Sequence, residues 1–166
     1  METTGSGQTT VQMDKATFRQ VCGSFASGVT AITTGNLGDY HGMTASSFTS
    51  LSLEPPLILV CLDLNSVTLP AIEHCASFAV NILGDDQEDI SRKLASPGRH
   101  DLVDIPTRVG RLGIPLIEGC LAQLECRLRQ KYEEGDHVIL VGAVEHGLTS
   151  EATNPLVYFR GAYGHL

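Results

Sequence analysis

Between Thr44 and Ser52 the chain reads TASSFTSLS, in which Thr44, Ser46, Ser47, Thr49, Ser50 and Ser52 carry hydroxyls and no residue is charged. The run leads straight into the apolar Leu57-Ile58-Leu59-Val60. Exposed loops of that polarity ordinarily carry Lys, Asp or Glu as well, so these hydroxyls need another set of partners. One reading makes them a polar strand and hydroxyl-bonded turns at the rim of a barrel. The other makes them a binding surface, because a strand end offering backbone N–H groups and hydroxyls holds a phosphate or the polar edge of a heterocycle without charged side chains. A second polar cluster, CLDLNSVT at 61–68, ends the next strand and precedes a helix whose N-terminus favours anions. On the second reading the two clusters face one ligand.

Other chemistry is not signalled. No GxGxxG follows a strand, and neither GxxxxGK[ST] nor GxSxG occurs. The five cysteines, Cys22, Cys61, Cys75, Cys120 and Cys126, are odd in number and lack CxxC spacing, so neither a disulfide framework nor a zinc site is expected. They read as small core residues in a reducing compartment.

The elements that must position these clusters follow from periodicity. Residues 1–13 show no apolar pattern and read as a flexible N-terminal arm, with one domain over 14–166. Asp14 caps a helix whose Phe18, Val21, Cys22 and Phe25 share a face, with Gly28 as its expected end. VTAITT (29–34), the turn GNLGD (35–39) and strand character from Tyr40 predict a hairpin. Pro55-Pro56 precedes a buried strand, LILVCL (57–62). A short helix follows over 68–75 with Pro70 in its first turn, then the strand SFAVNIL (77–83). Asp85 and Glu88 form a capping box for a helix to Ala95. Residues 96–118 are rich in proline and glycine without a period and read as a long connection of the kind often found at functional sites or subunit contacts. Ala122, Leu124, Cys126, Leu128 and Tyr132 alternate with Gln123, Glu125, Arg127, Arg129 and Lys131, the pattern of a half-buried antiparallel strand. HVILVGAV (137–144) returns beside it, and PLVYF (155–159) closes the series. About seven strands with two or three peripheral helices predict a mainly β, α+β fold, an antiparallel barrel.

Composition bounds the function. At 166 residues and 42% hydrophobic content the chain builds one substantial core. A net charge of −8 with no basic run argues against nucleic acid or anionic lipid as partner. No segment has the roughly 18 apolar residues of a membrane span, and the start lacks the pattern of a signal peptide, so a cytoplasmic protein is expected.

GMTASSFTSLSLEPPLILVCLDLNSVT, then SFAVNIL, LECRL, EEGDHVILVGAV and PLVYFRGAY, in that order, resemble the flavin reductase family with the FMN-binding split-barrel fold, which includes the reductase components of two-component flavin monooxygenases. The resemblance spans Phe18 to Tyr163. It implies an antiparallel Greek-key split β-barrel, a homodimer, and an NAD(P)H:flavin oxidoreductase that passes hydride from NADH or NADPH to FMN or FAD for a partner monooxygenase. Carried over by position, Thr44, Ala45, Ser46 and Ser47 match the segment at the isoalloxazine edge and ribityl chain. Cys61, Leu62, Asp63, Asn65, Ser66 and Thr68 match the second flavin segment, with Ser66 and Thr68 nearest the phosphate. Asn81 belongs to the strand under the ring, and Lys93 stands where the family often has a basic residue. His137 resembles the histidine that meets the nicotinamide, and Phe159, Arg160 and Tyr163 match a segment bordering the same pocket. The bland alternatives are a surface histidine opening a strand and ordinary barrel closure by YFR.

The chain departs from the family in the long connection, where relatives carry an aromatic-containing DKF and a tryptophan. Here the residues are RHDLVDIPTRVG, and the chain has no tryptophan. FMN against FAD and NADH against NADPH therefore stay open. A tight flavoprotein reducing another acceptor, and a flavin-binding module without catalysis, are the other functions that the same fold admits.

Overall fold

The computed structural model describes residues 13–98, 100–151 and 154–164. The arm expected over 1–13 therefore lies, except for Met13, outside the described residues. Three helices, α1 (Lys15–Cys22), α2 (Thr68–Cys75) and α3 (Glu88–Ala95), accompany twelve strands. These are β1 (Ser27–Gly28), β2 (Thr30–Asn36), β3 (Asp39–Ala45), β4 (Thr49–Leu53), β5 (Pro56–Asp63), β6 (Ser77–Ile82), β7 (Thr107–Val109), β8 (Pro115–Ile117), β9 (Ala122–Glu134), β10 (His137–Thr149), β11 (Val157–Phe159) and β12 (Ala162–Gly164).

Seven of the strands form one antiparallel sheet in the order β3-β2-β6-β9-β10-β5-β4. Its two edge strands, β3 and β4, are consecutive in the chain, so the sheet curls on itself as a Greek-key split barrel, as expected from the sequence. The seam is pinned by one hydroxyl of the opening run. Ser47 Oγ donates to the Cys61 carbonyl at 2.9 Å and accepts the Cys61 N–H at 3.0 Å, standing in for a ladder pair between the end of β3 and β5. Inside the barrel Ile32, Val60, Leu62, Phe78, Val80, Cys126, Val138 and Leu140 form the main core, closed at one side by Leu69 and Ile72 of α2.

β2 and β6 are buried on both faces, and their near-continuous apolar and hydroxyl composition reflects that. The outer face is covered by the connection between α3 and β9. There the expectation of an aperiodic linker is corrected, since β7 and β8 pair as a hairpin within it. The hairpin is held by polar side chains aimed outward from the barrel. Thr33 Oγ1 donates to the Pro115 carbonyl at 2.6 Å. Glu125, only 3% exposed, accepts the N–H groups of Arg111 and Leu112 at 3.0 and 2.7 Å and so caps the hairpin's turn. The alternation along β9 predicts Gln123 and Glu125 on its solvated face. They are buried because the hairpin lies over them, and periodicity cannot report a second layer.

Three other expectations are corrected. α1 ends at Cys22 with Gly23 as its cap, because the residues after it turn to bring Ser27–Gly28 into pairing with β11. Helix α3 is preceded by a single 3₁₀ turn, Asp85–Gln87, and the capping contact is Gly84 N–H donating to Gln87 Oε1 at 3.1 Å in place of an Asp85/Glu88 box. The PLVYF segment does not close the barrel. Val157–Phe159 lies in a separate three-stranded sheet, β1-β11-β12, and the seventh barrel strand is β4, drawn from the hydroxyl run itself.

Gly42 shows how tightly the outer layer sits on β3. Its N–H donates to the His100 carbonyl at 2.7 Å, and a Cβ there would stand 2.7 Å from Leu102 Cδ2. Leu102 of the long connection is buried beside Leu94 and Tyr40. Among the described residues, no helix is long and apolar enough to cross a membrane.

Candidate flavin and nicotinamide site

The hydroxyl run divides its labour. Thr44 Oγ1 donates to the Ser91 carbonyl at 2.7 Å, tying β3 to α3, and Ser47 is committed to the barrel seam. Thr49, Ser50 and Ser52 belong to the edge strand β4. Ser46 is exposed at the end of β3. With Thr44 it lines a cavity of about 210 Å³ whose other walls are Val29, Ala95, Tyr158 and Tyr163. Structural hydroxyls and cavity-lining hydroxyls therefore both occur in the run, in different residues.

The aromatic wall is built by the small sheet. Tyr158 and Tyr163 are register partners on β11 and β12, and their rings meet edge to face with centroids 5.3 Å apart. Tyr163 Oη lies 2.7 Å from Ser91 Oγ, and the Arg92 guanidinium sits over the Tyr163 ring at 4.7 Å. Uncharged hydroxyls beside aromatic faces, with a cation behind, fit a planar heterocycle with polar edges.

The second cluster occupies the rim beside the seam. Cys61, Asp63 and His137 share the outer side of the β5–β10 pair, with Ile139 opposite Cys61 and His137 opposite Asp63. Asp63 Oδ1 accepts the Asn65 N–H at 2.7 Å and its side-chain amide at 3.1 Å, a local turn that reverses the chain toward α2. Ser66 Oγ donates to Met43 Sδ at 3.2 Å and accepts the Thr68 N–H at 3.3 Å. His137 opens β10, and its Nδ1 lies 2.6 Å from the Asp136 carboxylate. That hydrogen bond and the charge beside it hold the Asp136 carboxyl below the ordinary aspartate range. With the carboxylate accepting the Nδ1 N–H, Nε2 is left as an acceptor in the neutral ring and a donor in the charged one.

Several carried-over residues are not placed to touch a ligand through their side chains. Ala45 and Leu62 point into the core, so only their backbone can contribute. Thr68 is buried with its hydroxyl toward the Gly42 carbonyl at 3.4 Å. Asn81 is fully buried beneath the β7–β8 hairpin. Its amide donates to Ala31 O at 3.0 Å and Thr33 Oγ1 at 2.9 Å, and its Oδ1 accepts from Ile117 N at 2.9 Å and Gln123 Nε2 at 2.8 Å. No donor or acceptor remains for a ring. Lys93 is exposed, because Ser91 faces β3 and a residue two positions on lies about 200° around the helix. Arg92 is the basic residue that α3 turns toward Tyr163. The sequence held the signal: Gln87, Ser91 and Leu94 recur at the spacing of a buried face. Phe159 and Arg160 lie at the tip of the β11–β12 hairpin, with the Arg160 guanidinium over the Phe159 ring at 5.2 Å. Tyr158 and Ser91 join the site without having been singled out by the sequence.

All five cysteines are free thiols, and burial pushes Cys120 and Cys126 up to about 12. Burial also raises Cys61 above the ordinary thiol value. Among the described residues, no group of three His, Cys, Asp or Glu side chains converges as a metal site.

Comparison with known proteins bears on the family and the fold. The flavin reductase like domain matches residues 22–166. The chain is 39% identical over 154 residues to the reductase subunit HsaB of a flavin-dependent monooxygenase from Mycobacterium tuberculosis, covering 92% of this chain and 82% of that protein. It is 38% identical to an NADH-dependent flavin reductase from a Rhodococcus species, over 89% of this chain and 84% of the relative. The solved structure of the NADH:FAD oxidoreductase SgcE6 from Streptomyces globisporus, in complex with NAD and FAD fragments, superposes with a TM-score of 0.86 at 36% identity, covering 91% of this chain and 92% of that one. With barrel topology and sequence in agreement, the chain belongs to the flavin reductase like domain family.

Proposed function

We propose that this protein is an NAD(P)H-dependent flavin reductase that passes reduced flavin to a separate monooxygenase. The observation that carries the reading is the cavity joining Thr44 and Ser46 of β3 to Tyr158 and Tyr163 of the small sheet. Polar edges and aromatic walls meet there without a charged acid or base. Flavin and nicotinamide, when bound, supply the hydride chemistry between nicotinamide C4 and flavin N5. The chain's own residues bind and orient. Ser46 and the backbone at 45–47 and 61–63 take the polar edge of the flavin, Ser66 and the start of α2 lie toward its phosphate, and Tyr158 and Tyr163 wall the cavity. His137 holds the nicotinamide carboxamide through Nε2. Because reduced flavin leaves for a partner, hydroxyls and backbone suit the site better than a dominant ion pair, and affinity stays compatible with exchange.

A homodimer with the flavin site shared between subunits belongs to this reading. Phe18, Val21 and Phe25 are 57%, 58% and 81% exposed, and Leu53 on the edge strand β4 is 93% exposed. A second copy would cover this apolar surface. Light scattering should give twice the chain mass; a monomer with full activity would defeat the shared site. Five unpaired thiols suit a reducing, cytoplasmic setting.

The test mixes the purified chain in air with each nicotinamide and each flavin, following the nicotinamide absorbance. Catalytic oxidation that rises with added free flavin supports the proposal. A single stoichiometric turnover, or none, would instead favour a fixed flavoprotein with another acceptor or a binding module.

A further inference from the structure

A second cleft, of about 480 Å³, lies at the far end of the β11–β12 hairpin and is lined by Arg19, Gln20, Ser24, Arg160 and Gly161. Two arginines line it in a chain whose net charge is −8. Neither guanidinium has a carboxylate partner among the described residues, whereas Arg92, Arg127 and Lys131 all do.

The cleft is built, not incidental. Arg160 N–H donates to the Gly23 carbonyl at 2.8 Å, locking the hairpin tip to the end of α1. A Cβ on Gly23 would meet Arg160 Cα at 3.7 Å, ordinary van der Waals contact between the two segments. Arg160 itself holds φ 50° and Gly161 φ 81°. The left-handed region is costly for a side chain as long as arginine's, and such residues persist where the surroundings fix them, often at ligand sites. Tyr158 and Tyr163, which wall the flavin cavity, are only two residues from this tip, a span of at most about 7 Å along a strand. That distance suits a dinucleotide whose phosphates lie at the arginines and whose ring end reaches the site beside the flavin.

Resting on the flavin reductase reading, we infer that the Arg19–Arg160 cleft is a subsite for the diphosphate of a dinucleotide, with the reduced nicotinamide dinucleotide as its occupant. Paired guanidiniums match phosphate oxygens bidentately, and the Gln20 amide adds a neutral donor.

The test measures equilibrium binding, without turnover, of NADH, FAD and FMN to the full chain and to Arg19→Gln and Arg19→Lys variants. The expected result is a roughly tenfold loss of NADH affinity in Arg19→Gln, partial recovery in Arg19→Lys, and unchanged FMN affinity. Loss of FAD but not FMN or NADH affinity would overturn the choice of occupant and assign the cleft to the flavin dinucleotide. Unchanged affinity for both dinucleotides overturns the subsite. So does an equal loss for FMN, which has a single phosphate, because that would mean Arg19 only supports the fold. If the unsubstituted chain binds FMN while Arg19→Gln changes nothing, the cleft proposal falls and the flavin reading stands. If the unsubstituted chain binds no flavin, it is the flavin reading that falls.

Discussion

Replacing His137 with alanine is expected to lower kcat/KM for the nicotinamide about 10–100-fold, from loss of a contact worth roughly 1.5–3 kcal/mol, while leaving flavin affinity nearly unchanged. The separation follows from where the residue sits. His137 stands at the barrel rim opposite Asp63, bordering the second flavin segment without belonging to the cavity of Thr44, Ser46 and the tyrosines. The Asp136 carboxylate holds Nδ1, so the ring presents Nε2 in a fixed direction, and hydride transfer falls steeply when the donor ring drifts. The imidazole transfers no proton in this scheme. Steady-state rates at varied nicotinamide, beside flavin titration by fluorescence, separate the two effects. Wild-type rates across all nicotinamide concentrations would make His137 a surface residue.

Asn81→Leu is expected to destabilise the fold by about 3–5 kcal/mol, because a side chain of similar size leaves the buried Ile117 N–H without its acceptor, removes a donor from the Ala31 carbonyl and Thr33 Oγ1, and weakens the hold on Gln123. For a domain of this size that corresponds to a fall in Tm of roughly 10 °C. Flavin affinity measured well below the transition should stay close to that of the unsubstituted chain. An unchanged Tm with weakened flavin binding would reverse the assignment and return Asn81 to the ligand. The site of failure is also specified. Once the hydrogen bonds that Asn81 makes to Ile117 and Gln123 are broken, the β7–β8 hairpin should lose protection from hydrogen exchange before the barrel strands do.

The barrel was legible in the sequence because each strand carries its own signal. The alternation along β9, the apolar run of β5 between breakers, and the turns at GNLGD and EEGD are local, and they fix strand existence whatever packs above. The polarity of TASS and CLDLNS was legible for the same reason, since uncharged hydroxyls ending apolar strands need partners, which Thr44, Ser47 and Ser66 find within the protein. Arg92 was recoverable too, because helical spacing places Ser91 inward and Lys93 outward.

What tertiary structure alone decided is the partner of each polar group. Nothing within SFAVNIL distinguishes an asparagine facing a flavin from one bonded to Ile117, since the deciding strand lies 36 residues away. Ser46 and Ser47 are adjacent and chemically alike, yet one lines the cavity and the other clasps Cys61. The apolar face of α1 predicted a helix correctly but not that Phe18 and Phe25 would stay uncovered within the chain. Periodicity records which way a side chain points relative to its own backbone. Whether water, protein or ligand waits in that direction depends on segments brought together only when the chain closes.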